Sequence, residues 1–302
     1  MGVLAVLVAD GTAQTLSTLH VFNGQGTDGA TPTGLTRGNS GALYGTTLGV
    51  GGTSGLGTVF ELTPPTAPDA GWKYTILHRF TGQNEDGSAP YSGVIFDANG
   101  ALYGTTSAGG NSGKGTIFQL TPAADGAWIE TVLHSFTGQN GDGATPYAGL
   151  TFGANGALYG TTSTGGTSGA GTVFEMTPPS PGQTNWHETL IHSFNGDTGD
   201  PSTADGESPY GGLILDAQGN LYGMTAQGGL NDFGTVFELT PTANGTSWTQ
   251  TVLHNFGSYP DGAGAFGTLV LDSSGNLYGV TENGTALSRN DAQIGTVFEV
   301  TP

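Results

Sequence analysis

Gly149-Leu-Thr-Phe152, Ala157-Leu-Tyr-Gly-Thr-Thr162, Gly171-Thr-Val-Phe-Glu-Met-Thr-Pro178 and Trp186-His-Glu-Thr-Leu-Ile-His-Ser-Phe194 follow one another along the chain. Aromatic and β-branched residues dominate each run, so all four read as strands. Gly153-Ala-Asn-Gly156 is a tight turn, Ser163–Ala170 is a flexible loop, and Pro178 ends the third strand. No stretch shows the helical period over about eleven residues. The block is therefore a small antiparallel sheet of four strands.

The same block occurs five times. Leu-Tyr-Gly recurs at Leu43, Leu102, Leu158, Leu221 and Leu277, in steps of 59, 56, 63 and 56 residues. Gly-Thr-(Val/Ile)-Phe recurs from Gly57, Gly115, Gly171, Gly234 and Gly295. A fourth-strand histidine recurs at His20, His78, His134, His192 and His254. The first of these precedes the first Leu-Tyr-Gly, and none follows the last Gly-Thr-Val-Phe. A unit of about 60 residues cannot bury a core alone and must stack on its neighbours. Complementary ends favour a closed ring over an open solenoid. The expected fold is all-β, a five-bladed β-propeller with four-stranded antiparallel blades. The N-terminal strand Thr15–Phe22 would pair with Gly295–Thr301, complete the last blade and remove two free edges.

The motifs Asp-Gly-x-x-Pro, Asn-Gly-x-Leu-Tyr-Gly-Thr-Thr, Gly-Gly and Gly-Thr-Val-Phe-Glu-Leu-Thr-Pro span Thr15 to Pro302. In these the chain resembles the bacterial GloVer-type (choice-of-anchor) tandem-repeat family. The resemblance implies a secreted or surface-attached bacterial repeat protein, an extracellular module without assigned catalytic residues.

Of 302 residues, 56 are Gly and 15 Pro, near the level of disordered chains, yet the strict period and 35% hydrophobic content argue for a fold. Residues 15–302 then form one propeller domain and 1–14 an apolar leader. Gly2–Ala9 has the length of a signal h-region without its basic n-region, and is too short to span a bilayer. It reads either as the remnant of an export signal or as a docking strand. Apolar on both faces, such a strand needs cover. Strand donation into a neighbouring copy through residues 2–9 would build a filament.

Cysteine is absent, which excludes disulfides and thiolate metal sites. A net charge of −19 repels phosphate backbones and anionic membranes. The expected partner is a glycan or a protein, copies of the chain included, with no nucleic acid and no membrane span.

Two readings compete for the loops between blades. They carry Asp28, Asp86, Asp142, Asp205 and Asp261, each followed by Gly, and then Tyr91, Tyr147, Tyr210 and Phe266, with Thr33 in the first copy. Functionally, five carboxylates would ring the central channel with aromatic stacking surfaces for a ligand, and a cation such as calcium is the one cofactor they suggest. Structurally, Asp starts a turn, Gly supplies a positive φ and Pro fixes the next strand. Recurrence in every blade favours the structural reading, and no copy matches the calcium loop with its distal glutamate. The histidines, spread around the ring, cannot converge on one ion. Alternation places Val132, His134 and Phe136 on one strand face, which favours a hydrogen-bonded structural histidine.

Two Gly-x-Gly-x-x-Gly matches, Gly24–Gly29 and Gly262–Gly267, lack a strand-to-helix context, and neither a Gly-x-Ser-x-Gly elbow nor His-Glu-x-x-His occurs. Asn244 and Asn283 head glycosylation sequons. The main breaks in the repeat's symmetry are Asn195–Ser208 and Glu282–Ile294. The sequence thus favours a non-enzymatic extracellular binding or surface-structural module with no catalytic residues. The alternative is a carbohydrate-active hydrolase or lyase, whose paired carboxylates meet only in space.

Overall fold

The structure, a computed structural model, describes residues 16–24, 28–49, 56–67, 70–196, 203–243, 245, 247–257, 261–284 and 295–301. Each repeat folds as an antiparallel sheet with its strands in chain order. Blade one comprises Pro32–Arg37, Leu43–Thr47, Thr58–Thr63 and Lys73–Arg79. Blade two comprises Ile95–Phe96, Leu102–Thr106, Thr116–Pro122 and Trp128–Ser135. Blade three comprises Thr151–Phe152, Leu158–Thr162, Thr172–Thr177 and His187–Ser193. Blade four comprises Ile214–Leu215, Leu221–Thr225, Thr235–Pro241 and Trp248–Asn255, and blade five Ala263–Leu271, Leu277–Asn283 and Thr296–Val300. One 3-10 turn, Ala154–Gly156, is the only helix among the described residues. The five-bladed all-β arrangement expected from the repeat is the one observed.

Each motif has a packing role. In all five blades the Gly of Leu-Tyr-Gly lies opposite the Phe of Gly-Thr-(Val/Ile)-Phe, as at Gly160 and Phe174. A Cβ at Gly160 would lie 2.4 Å from Phe174 Cζ, so only glycine lets the ring cross the neighbouring strand. Strand alternation sends Val173 towards blade four and Phe174 towards blade two. The cores therefore lie between blades. The Phe two residues after each fourth-strand histidine seals the same interface: Phe80 meets Phe118 at 5.1 Å between ring centroids, Phe136 meets Phe174 at 5.3 Å, Phe194 meets Phe237 at 5.2 Å and Phe256 meets Phe298 at 5.1 Å.

Near the axis, hydroxyls of one blade bond to carbonyls of the next. Thr46 Oγ1 donates to Ser92 O at 2.7 Å, Thr105 Oγ1 to Ala148 O at 2.8 Å and Thr161 Oγ1 to Gly211 O at 3.1 Å. At the rim, the fourth strand of blades one to four carries a one-residue bulge at Leu77, Leu133, Ile191 and Leu253, just before the histidine. The bulge interrupts the strict alternation expected from Val132 to His134 and re-aims the histidine at the next blade.

The seam between blades five and one differs. Blade five has three strands among the described residues, and residues 16–24 join no ladder. Their side chains dock on blade one all the same. Phe22 meets Phe60 at 5.2 Å, and His20 stacks on Tyr74 at 4.3 Å, occupying the places their counterparts take at the other interfaces. Among the described residues no ladder joins 16–22 to Gly295–Thr301, and Val297 is 82% exposed, whereas Val173 and Val236 are fully buried. Met1–Gln14, with the expected leader and docking strand, lie outside the described residues. Among the described residues no helix is long and apolar enough to cross a membrane.

Candidate functional site

Between-blade loops and the loops joining strands two and three lie on one face. Gly87–Ser88 pairs with Ala108–Gly109, and Gly143–Ala144 with Thr164–Gly165. On this upper face each Asp of the Asp-Gly motif belongs to one histidine. Nε2 of His20, His78, His134, His192 and His254 lies 3.0, 3.3, 3.3, 2.9 and 2.9 Å from a carboxylate oxygen of Asp28, Asp86, Asp142, Asp205 and Asp261. An ionised carboxylate only accepts, so Nε2 carries the proton. In the first four, the second oxygen accepts the backbone N–H three residues after the histidine, at 2.6–2.8 Å. Burial would raise the pKa of Asp28, Asp86 and Asp142. The bonds from histidine and backbone outweigh it and hold all three below the usual carboxylate value.

These aspartates therefore serve the blade interfaces one by one. Among the described residues, a single group of three His, Asp or Glu side chains brings its ligand atoms within 4.8 Å, and it contains only one of them, Asp86. The glycine that follows each Asp answers a demand for space. Thr106 Oγ1 and Thr116 Oγ1 bond at 2.8 Å beneath Gly87, where a Cβ would sit 2.3 Å from Thr106 Oγ1. The same threonine pair recurs in all five blades at 2.7–2.9 Å. A positive φ, the reason expected from sequence, is found at Gly206 and Gly262 and not at Gly29, Gly87 or Gly143. The left-handed residues are instead Thr31, Ala89, Thr145 and Ser208, each just before the motif's proline. Backbone bonds that cross the blade interface hold three of them, such as Thr145 N–H to Lys114 O at 2.8 Å.

The aromatic residues of the motif do come together. Tyr91 and Tyr147 approach to 4.6 Å between ring centroids, Tyr147 and Tyr210 to 5.3 Å, and Tyr210 and Phe266 to 5.1 Å. One continuous arc of rings thus crosses four blades on the upper face, with Thr33 in the place of the fifth ring. At its blade-five end, between blades four and five, opens a cavity of about 660 Å³ lined by Tyr210, Phe233 and Phe266 and by the polar side chains of Gln227, Asp232, Glu282 and Asn283. The sequence signalled Glu282 as the start of a symmetry break. It gave no sign of Phe233 or Asp232, which lie in a loop that reads as ordinary turn sequence.

Sequence reasoning also missed a feature of the rim. In blades one to four the residue four before the fourth-strand histidine covers the histidine–aspartate pair of the preceding interface, and its identity changes around the ring. Tyr74 stacks on His20, and Gln250 Nε2 donates to Asp205 O at 3.1 Å. Glu130 Oε2 lies 3.5 Å from His78 Nε2. Burial pushes the Glu130 carboxyl up to about 7, with His78 opposing and Asp86 adding to the shift. Burial also raises Glu188, which lies beside His134 and Asp142.

The Gloeobacter/Verrucomicrobia repeat matches residues 7–204 and 200–302 of this sequence. The chain belongs to that family. No curated protein matches this member of the Gloeobacter/Verrucomicrobia repeat family. Solved structures similar to it include a gluconolactonase from Xanthomonas campestris, at 13% identity and a TM-score of 0.46, with 82% of this chain and 68% of that one covered. A protein of unknown function from Dyadobacter fermentans matches at 11% identity and a TM-score of 0.46, covering 90% and 83% of the two chains. An exo-1,5-alpha-L-arabinanase from a bovine ruminal metagenomic library matches at 14% identity and a TM-score of 0.40, covering 93% and 95%.

Proposed function

We propose that this repeat protein is a non-enzymatic, extracellular binding module that takes a neutral glycan on its upper face. The carrying observation is the unbroken arc Tyr91–Tyr147–Tyr210–Phe266. Sugar rings present apolar C–H faces that stack on such surfaces, and the hydroxyls at their edges need donors and acceptors, which Gln227, Asn283, Asp232 and Glu282 offer beside the arc. The charge of −19 argues against anionic polymers and leaves neutral glycans favoured. A glycan array followed by calorimetry tests the reading. Tyr210→Ala and Phe266→Ala should each weaken binding at least about tenfold, a loss of about 1.4 kcal/mol, with the unfolding midpoint little changed. A protein that binds no neutral glycan, or binds equally well after both substitutions, ends the proposal.

The competing reading is a glycoside-cleaving enzyme, supported by the presence of Asp232 and Glu282 on the same cavity wall. Against it, Asp232 Oδ1 already accepts the Gly228 N–H at 3.0 Å, which fits a loop-shaping role. The glutamates whose carboxyls burial raises, Glu130 and Glu188, lie on outer strands outside this cavity. Turnover of a bound glycan, abolished by Glu282→Gln, would establish the enzyme.

A further inference from the structure

The five rim pairs are chemically alike, so differences between them are informative. Where the covering residue is Tyr74 or Gln250, histidine and aspartate are 3.0 and 2.9 Å apart. Where it is Glu130 or Glu188, the separation opens to 3.3 Å at both interfaces. Three groups now share the space that elsewhere holds one hydrogen bond. At the interface of blades one and two they converge: His78 Nε2 lies 3.3 Å from Asp86 Oδ1 and 3.5 Å from Glu130 Oε2. The Glu130 side chain is only 14% exposed, and its Oε1 is buried without a hydrogen-bond partner. Two carboxyl groups thus face one imidazole in a largely dry site, an arrangement that a bound cation would stabilise.

We propose that His78, Asp86 and Glu130 bind a divalent transition ion, zinc in the first instance, and so pin blade one to blade two at the outer rim. Zinc binds imidazole nitrogen and carboxylate oxygen at about 2.0–2.2 Å, so a tetrahedral ion holds its ligand atoms about 3.3–3.5 Å apart. The two separations measured from His78 Nε2 match that edge. One nitrogen and two carboxylates suit a borderline ion better than calcium, which takes six to eight oxygens. Three protein ligands leave a fourth position for water. The ligands come from rigid places: the bulged fourth strand of blade one, the loop that follows it and the fourth strand of blade two. His134, Asp142 and Glu188 repeat the residue types, but their ligand atoms do not converge within 4.8 Å, so one ion per chain is expected.

The test is zinc titration of chelator-stripped, tag-free protein against a chromophoric competitor, with cobalt as a spectroscopic substitute. Wild type should take up one equivalent, give tetrahedral cobalt bands in the visible, and unfold at a higher temperature with zinc than with chelator. Glu130→Gln reproduces the Gln250 arrangement that the fold already accommodates, so it should fold and yet bind zinc at least tenfold more weakly. His78→Ala should do the same, and Glu188→Gln should leave uptake unchanged. Absence of saturable uptake by wild type overturns the proposal. So does uptake that survives Glu130→Gln, or uptake that Glu188→Gln removes in its place.

Discussion

The interface between blades two and three and the seam between blades five and one are built from the same motif, and only the first is sealed. Between blades two and three, Ile117, Phe136, Leu150 and Phe174 are buried together. Across the other seam Leu35, which stands where Leu150 does, is 61% exposed, and Val297, which stands where Ile117 does, is 82% exposed. The difference traces to one strand. Blades one to four each carry a fourth strand laddered to the third, whereas residues 16–24 join no ladder among the described residues and dock the rings of His20 and Phe22 on blade one. The same missing ladder loosens the neighbouring interface. His254 and Asp261 side chains are 37% and 30% exposed, while His134 and Asp142 are 23% and 16%. The covering position there belongs to Leu16, which stands open to solvent. A repeat fold is held by nearest-neighbour contacts, so an unladdered strand weakens both interfaces it should complete.

The sharpest way to break this comparison is to remove the sealing rings. Phe80→Ala empties a fully buried site and should cost about 3–5 kcal/mol in denaturant unfolding. Phe22→Ala, at the unladdered seam, should cost clearly less. Equal losses would mean that residues 16–24 seal their seam as firmly as the others.

A smaller effect is expected at the rim. His134→Ala leaves Asp142 largely buried without its imidazole partner and should cost about 1–3 kcal/mol, with glycan binding unchanged. His254→Ala, whose pair is already about a third exposed to water, should cost less. Loss of ligand binding at an unchanged melting temperature would show His134 to be functional rather than structural.

The smallest effect is the response to acid. The folded-state pKa of Asp142 lies below its ordinary value of 3.8, because bonds from His134 and Thr137 outweigh the effect of burial. Its stabilisation is therefore complete above about pH 4 and is lost as the pH falls through the lower folded value. Asp142→Asn should lower stability at neutral pH and flatten the acid limb of the stability curve. An acid limb identical to that of wild type would exclude Asp142 as a contributor.

The sequence and the structure agree most closely where the signal is periodic. Leu-Tyr-Gly and Gly-Thr-(Val/Ile)-Phe announce five sheets because strand identity is local, a matter of alternation and turn residues. The arc of Tyr91, Tyr147, Tyr210 and Phe266 was legible for the same reason: equal offsets in successive repeats become equal positions around an axis. The partners of Asp86 and Asp142 were not legible. Residues eight apart in sequence bond across a turn whose geometry depends on the bulge before His78 and His134, and a one-residue bulge has no composition signature. The glycines after the aspartates were assigned to the correct place for an incomplete reason, since steric demand from a threonine pair on other strands cannot be read locally.

By itself, then, the sequence determined the number of blades, the order of their strands, the face on which the motif loops gather and the charge that narrows the choice of partners. All of these follow from local pattern and composition. Tertiary structure alone decided which carboxylates are used up by histidines, that Glu130 joins His78 and Asp86, and that Phe233 and Asp232 share a cavity with Tyr210. Those facts depend on which side chains meet across a blade interface. Such meetings are set by the packing of neighbouring repeats, where a position that holds Tyr74, Glu130, Glu188 and Gln250 in turn alters the chemistry without disturbing the pattern.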